Sequence, residues 1–335
     1  MHMADALLSP SVGVAMCAVS AGAMAYSTLK IKKDELGEKK LPVMAVAGAF
    51  VFAAQMINFT IPLTGSSGHI GGGILLAALL GGFPALLTIA AVLAIQALFF
   101  ADGGLLALGC NIFNMGVIPC LIAYPLLFKP LMKKGFTAKR LSLASVLAVV
   151  AGLQLGAFSV VLETLLSGVT ELPFSAFVAL MQPIHLAIGL VEGIVTAAVL
   201  VFAHRLRPEI LESARERSAI VAGVSVKKAV LVLAVIALLV GGGLSLFASA
   251  YPDGLEWATE KVAGTAELEA RGGIYESAAA AQQSTAILPD YGFSSDAENA
   301  AGTSVAGVVG AAVTFALAGA VGLIIAKAKR RKKAL

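Results

Sequence analysis

The chain has 335 residues, 59% of them hydrophobic and only 13% charged, with a mean hydropathy of +0.91 and a formal charge of +4 at pH 7. An apolar excess of this size excludes an ordinary soluble globule and reads as a membrane protein with many spans. Cys17, Cys110 and Cys120 all sit inside apolar runs without CxxC spacing, which argues against a disulfide framework or a thiolate zinc site.

The chain opens with Met1-His2-Met3-Ala4-Asp5-Ala6-Leu7-Leu8-Ser9-Pro10. A histidine directly after the first residue can offer a divalent metal three nitrogens without any fold: the Met1 amine, the His2 amide nitrogen once its proton is displaced, and the His2 imidazole. These close two fused chelate rings and lie nearly in one plane. Planar all-nitrogen geometry suits Ni(II) and Cu(II) rather than zinc, calcium or magnesium, and it leaves one position for a second imidazole. Read alone, the decapeptide fits an incidental early histidine better than a ligand, so the rest of the chain decides.

Apolar segments follow near 11–28, 43–59, 71–83, 84–100, 105–128, 141–166, 184–203, 229–250 and 303–326. Most can cross a hydrocarbon core of roughly 30 Å as a helix. The segments 71–83 and 84–100 are one apolar run broken at Gly81-Gly82-Phe83-Pro84, which fits either a tight turn between spans or a re-entrant pair. The expectation is an all-α polytopic membrane helix bundle of about nine transmembrane spans. Twenty-two of the 24 lysines and arginines fall in 30–40, 129–140, 205–228 and 327–333, which nine spans place on one side. By the positive-inside rule that side is cytoplasmic, so the N-terminus is expected outside and the C-terminus in the cytoplasm. No basic stretch precedes the first span, so no signal cleavage is expected.

Polar residues at membrane depth are costly and so invite a functional reading. Gln55 and Asn58 are three apart, which puts them on one helical face, and lead into Pro62-Leu63-Thr64-Gly65-Ser66-Ser67-Gly68-His69-Ile70-Gly71-Gly72-Gly73, a segment whose glycines and hydroxyls permit tight bends near the outer mouth. His69 is one of only four histidines, and it falls on the same side as a three-nitrogen chelate short of one ligand. Asn111 and Asn114 are again three apart. Gly152, Gly156, Ser159 and Glu163 form one helical stripe, and His185, Gly189, Glu192 and Thr196 form another. Hydrogen bonds that merely fix the bundle account for any one of these as well as a metal does. Together they suggest a polar floor that holds the ligands, because metal-bound imidazoles need their other nitrogen held. His204, beside Arg205 and Arg207, reads as a surface residue. Residues 251–302 carry nine acids against Lys261 and Arg271, with the chain's only tryptophan, Trp257, and two stretches of helical composition. They read either as a solvated loop or as a small extracytoplasmic cap that gathers cations.

The chain has no GxxxxGK[ST], so it carries no P-loop and cannot couple ATP hydrolysis by itself; no nucleophile elbow or HExxH appears either, and an enzyme reading has no nucleophile to rest on.

Several ordered motifs carry a resemblance: the opening Met-His, Ala53-Ala54-Gln55-Met56-Ile57-Asn58-Phe59, Gly65-Ser66-Ser67-Gly68-His69, Phe100-Ala101-Asp102-Gly103-Gly104, Leu108-Gly109-Cys110-Asn111-Ile112-Phe113-Asn114-Met115-Gly116 and His185-Leu186-Ala187-Ile188-Gly189-Leu190-Val191-Glu192-Gly193. Over residues 1 to 205 the chain resembles the CbiM/NikM family, the substrate-capture subunits of nickel and cobalt energy-coupling-factor transporters. Residues 229–335 resemble the two-span companion NikN, through Pro252-Asp253-Gly254-Leu255-Glu256 and Leu288-Pro289-Asp290-Tyr291-Gly292-Phe293, so the whole is similar to a fused NikMN protein. The resemblance implies metal ligands at Met1, His2 and His69, surrounded by Gln55, Asn58, Asp102, Asn111, Asn114, Glu163, His185 and Glu192. Where the family commonly has Pro and Gly this chain has Ala4 and Ala6, which puts the rigidity of the N-terminal loop in question.

The expected organisation is a metal-capture membrane domain in 1–210, a cytoplasmic linker in 211–228, and a two-span domain in 229–335 with the acidic loop 251–302. The expected function is capture of Ni(II) as transported substrate, with no cofactor and no catalysis, in the inner cell membrane. The resemblance implies a transmembrane coupling subunit and a cytoplasmic ATPase as partners besides the lipid bilayer, and no nucleic acid. Ala18 with Gly22 and Ala21 with Ala25 are the small-residue pairs where a coupling subunit would dock. Two alternatives stay open: Co(II) uptake by the same complex, and a stand-alone divalent-metal permease or channel using Glu163, His185 and Glu192 as a relay.

Overall fold

The computed structural model describes residues 2–32, 35–221, 223, 225–266, 268–270, 272–293 and 300–331. Helix α1 (Pro10–Lys30) starts where Ser9 accepts a hydrogen bond from the Val12 amide and Pro10 fills the first turn. It is followed by α2 (Lys40–Gln55), a small antiparallel hairpin of β1 (Phe59–Ile61) and β2 (Ser66–Gly68), α3 (Gly73–Leu80) and α4 (Gly82–Phe99). Next come α5 (Leu108–Leu131), whose stretch Phe113–Phe128 winds as a π-helix, α6 (Ala138–Ser167) and α7 (Phe174–Leu206). Short amphipathic α8 (Pro208–Glu216) leads to α9 (Lys227–Gly242), then α10 (Gly254–Ala263), α11 (Gly273–Thr285) and α12 (Ala300–Arg331).

Among the described residues seven helices are long and apolar enough to cross a membrane, α1, α4, α5, α6, α7, α9 and α12, where the sequence predicts nine. The difference lies in two elements. The 16 residues of α2 extend about 24 Å and the 8 residues of α3 about 12 Å, against a hydrocarbon thickness of roughly 30 Å. The predicted span 71–83 is therefore a half-helix. Between Gln55 and Gly81 the chain still passes from one end of the bundle to the other, first as the hairpin and the irregular residues 69–72, then as α3. Such irregular backbone survives at depth only where protein groups satisfy it. Here the Gly71 and Gly72 amides donate to the Glu192 carboxylate at 2.8 and 2.9 Å, and the Gln55 amide donates to the Gly71 carbonyl at 3.0 Å. Gly72 takes a φ of 79°, and an added Cβ there would meet Val51 at 2.5 Å, so no larger residue fits the bend.

The four basic segments meet at one end. Lys40 donates to the Ser213 and Ser218 carbonyls, Arg215 to Met132, Lys329 to Leu29, and Arg217 pairs with buried Glu35. Gly81 lies against Glu35 and Ala214 at this same end. The opposite end gathers His2, the hairpin, the loop after α4, and α10 and α11. Helices α6 and α7 pack along their lengths, while α9 and α12 pack on α2. The last two approach backbone to backbone, an added Cβ at Gly307 falling 2.3 Å from the Gly241 carbonyl.

Candidate metal centre

The N-terminal segment is threaded into the bundle rather than laid on it. The Met3 amide donates to Asn111 Oδ1 at 2.7 Å, Asn111 Nδ2 donates to the Met3 carbonyl at 3.2 Å, and the Gly104 amide donates to that carbonyl at 2.9 Å. Asp5 accepts from the Ala107 amide, and the Met3 and Leu8 side chains are fully buried. These anchors flank Ala4 and fix the N-terminal loop against the bundle. Below, Asn114 Nδ2 bridges the Met3 thioether at 3.8 Å and the Glu163 carboxylate at 2.8 Å, with Ser159 on the other Glu163 oxygen. Asn111, Asn114 and Glu163 thus hold Met3, one residue beyond the predicted ligand.

His69 follows β2 and meets His2 ring to ring, with centroids 5.1 Å apart and planes 14° from parallel. Nδ1 of His69 lies 3.0 Å from the Ile70 carbonyl, which assigns its proton there and leaves Nε2 as the acceptor. Nδ1 of His2 lies 3.2 Å from Asp102 Oδ1, and its side chain is 7% exposed. Burial lowers His2 from 6.5 to about 3 and His69 from 6.5 to about 4, so both rings are neutral and able to ligate at neutral pH. Burial raises Asp102, against the pull of the Tyr291 hydroxyl that donates to it. Met1 lies outside the described residues.

A roof from the C-terminal part covers these rings. The β2 residue Ser67 donates its amide to the Pro252 carbonyl at 2.8 Å and its hydroxyl to the Tyr251 carbonyl at 2.7 Å. Pro252-Asp253-Gly254-Leu255-Glu256 is the start of α10: Asp253 accepts from the Leu255 and Glu256 amides while Glu256 accepts from the Asp253 amide, a reciprocal cap. Trp257 Nε1 donates to the Thr64 carbonyl at 2.9 Å. Tyr275 reaches the Leu8 carbonyl, Gln282 the Ala97 and Gly103 carbonyls, and the Asp290 amide the Phe100 carbonyl. Under the roof is a cavity of about 730 Å³ lined by His2, Gln55, Asn58, His69, Asp102, Asp253, Glu256, Asp290 and Tyr291 among others. The Asp253 carboxylate beside it, together with burial, pushes Glu256 up to about 7.

Of the residues singled out in the sequence, His2, His69, Gln55, Asn58 and Asp102 line this one cavity. Asn58 does so from beyond the end of α2, so it shares no helical face with Gln55, as the spacing had suggested. Glu192 acts on the Gly71–Gly72 backbone, and His185 lies outside the large cavity, beside His69 in a small neighbouring one, its Nδ1 2.8 Å from the Met181 carbonyl. His204, at the basic end, is half-buried against Phe136 instead of lying on the surface. Sequence reasoning missed Gln96, fully buried and donating to Gln55 Oε1 at 2.9 Å, and Tyr291. Gln96 had a signal, as the one amide in the apolar run 84–100; Tyr291 had only its place in the Leu288–Phe293 motif.

The family model for the cobalt uptake substrate-specific transmembrane region, CbiM, matches residues 2–210. The chain belongs to the CbiM family. A second model, the PDGLE domain, matches residues 227–327. An Archaeoglobus fulgidus protein assigned as a fused nickel transport protein NikMN is 30% identical over 95% of this chain and 96% of its own. The fused nickel transport protein NikMN of Rhodobacter capsulatus is 32% identical over 65% of this chain and 66% of its own. A crystal structure of a truncated transition metal transporter matches with a TM-score of 0.54 and 28% identity, covering 62% of this chain and 99% of that one. This CbiM-family chain is a multi-pass membrane transport protein, and its relatives are transporters, not enzymes.

Proposed function

We propose that the chain is the capture subunit of an ATP-driven energy-coupling-factor importer of Ni(II), and that Met1, His2 and His69 hold the ion. The observation that carries this reading is the pair of neutral, stacked imidazoles, 5.1 Å apart, at the end of a threaded N-terminal segment. Among the described residues no group of three or more His, Cys, Asp or Glu is gathered as a metal site. The missing donors are then main-chain nitrogens, the Met1 amine and the His2 amide. Only Nδ1 of His2 can close a six-membered ring with its own amide nitrogen. Nδ1 faces Asp102 here, so capture exchanges that partner for the ion. Three nitrogens in a plane plus His69 Nε2 favour Ni(II); Co(II) is the close variant, and a protein assigned as cobalt transporter CbiM 1 from Methanocorpusculum labreanum is 30% identical over 68% of this chain.

The His2 end faces outward in this reading, and the basic end faces the cytoplasm, where the coupling subunit and the ATPase act. Ala18, Ala21, Gly22 and Ala25 are exposed on α1, open to a coupling helix. Residues 1–210 supply capture, 211–228 the linker at the basic end, and 229–335 the roof and its two helices. Uptake of Ni(II) into vesicles separates this from a stand-alone permease. ATP-dependent uptake is expected with both partners and none with the chain alone; uptake by the chain alone, at the rate of the complex, would overturn the reading.

A further inference from the structure

Behind the stacked rings stands a third histidine with one nitrogen unused. His185, on α7, is 1% exposed. Its Nδ1 contact with Met181, one turn back on its own helix, puts the proton on Nδ1 and the lone pair on Nε2. Nε2 is buried without a hydrogen-bond partner. A buried acceptor left unpaired is costly, and native structures keep one only for a reason.

The surroundings of the ring supply a reason. His185 lines a cavity of about 10 Å³ with His69, Gly71, Met115 and Asp253. On one side this cavity shares His69 and Asp253 with the large roofed cavity. On the other it shares Gly71 and Met115 with one of about 20 Å³, lined by Asn114 and Glu192. The three lie in file from the His2 end into the bundle. His185 and Glu192 are seven residues apart on α7, about 10.5 Å along the helix axis. Each inner cavity has room for about one water-sized particle, so a cation entering it sheds its hydration shell and needs a protein donor in exchange.

We propose that His185 is a second metal station, whose Nε2 receives the divalent transition-metal cation as it leaves His69 for the interior. An imidazole nitrogen suits the first-row divalent ions that favour nitrogen donors. The absence, among the described residues, of a third or fourth gathered ligand makes this station weak, as a stopping point on a path must be if the ion is to leave it. The proposal rests on the reading of His2 and His69 as capture ligands.

The test uses the full chain with its coupling subunit and ATPase, and Ni(II) alone as probe. Because Nδ1 of His185 bonds only to its own helix, His185→Gln and His185→Leu should keep the thermal midpoint of the native protein. Ni(II) titration of the detergent-purified variants should give native capture affinity, while ATP-driven uptake falls about tenfold or more. His185→Cys, which restores a metal donor, should recover part of the uptake. Native uptake in His185→Leu would overturn the station, as would equal losses of affinity and uptake, which would make His185 a ligand of the first site. Recovery by Leu but not by Cys would assign the position to packing and overturn it as well. Failure of the capture reading looks different: His2→Ala and His69→Ala would then bind Ni(II) as tightly as the native chain, whatever the His185 variants do.

Discussion

His2 and His69 meet only because small groups let them. An added Cβ at Gly68 would fall 2.5 Å from the Ile188 side chain, so the turn that delivers His69 tolerates nothing larger. Once delivered, both rings are kept neutral by burial, His2 at about 3 and His69 at about 4. Unfolded imidazoles would take up protons below about pH 6.5 that the folded ones refuse, so this pair contributes stability above that pH and loses it as the pH falls toward 4. For the proposed chelate the consequence is a proton count. Between about pH 7 and pH 5 binding would displace only the amine and amide protons, so affinity should fall about a hundredfold for each unit the pH is lowered. Competition titrations across that range should give a slope of two. A slope steepening toward four below about pH 6.5 would mean that the rings titrate as ordinary histidines.

At the scale of elements the half-helix α3 is the departure that matters. Hydropathy reads residues 71–100 as one apolar run, and nothing in the run says where helix begins. What permits an irregular stretch there is the Glu192 carboxylate, some 120 residues later, accepting from Gly71 and Gly72 at the N-terminal end of α3, where a negative group is favoured. Hydropathy marked Glu192 as costly and so of interest, but only the tertiary structure gives it its partner. Other parts were open to reading in advance. His69 and Gln55 stood out as polar groups at depth or in a glycine-rich bend, Asp102 entered only through the Phe100–Gly104 motif of the resemblance, and all three line the cavity. Gln96 carried a signal only as the one amide of its apolar run and Tyr291 only as part of a motif, because their roles are second contacts, to Gln55 and Asp102, and no local pattern names those partners. Glu192→Leu would leave two buried amides unsatisfied at about 1–3 kcal/mol each. Thermal unfolding in detergent should show a lowered midpoint for Glu192→Leu and a smaller loss for Glu192→Gln, which keeps one acceptor oxygen. Equal stability of all three would remove Glu192 from its place beneath the His69 loop.

Across the whole molecule, the two family matches cooperate in one site. The CbiM part brings His2 and His69, and the PDGLE part brings the roof whose Ser67–Pro252, Trp257–Thr64 and Tyr291–Asp102 contacts close over them. The acidic residues of the loop are therefore not a diffuse field alone. Asp253 and Glu256 line the cavity with the imidazoles, and specific hydrogen bonds tie the roof to the loops that carry them. The proposed chelate requires an N-terminus that is free to bind the ion. The direct measurement is a Ni(II) titration of the native chain against a form with one extra residue ahead of Met1, both purified in detergent and matched for thermal midpoint. The extended form should keep its fold and lose more than the roughly 10–100-fold that removal of an outer partner costs, because the ring through the amine can no longer close. Undiminished binding by the extended form would contradict the chelate.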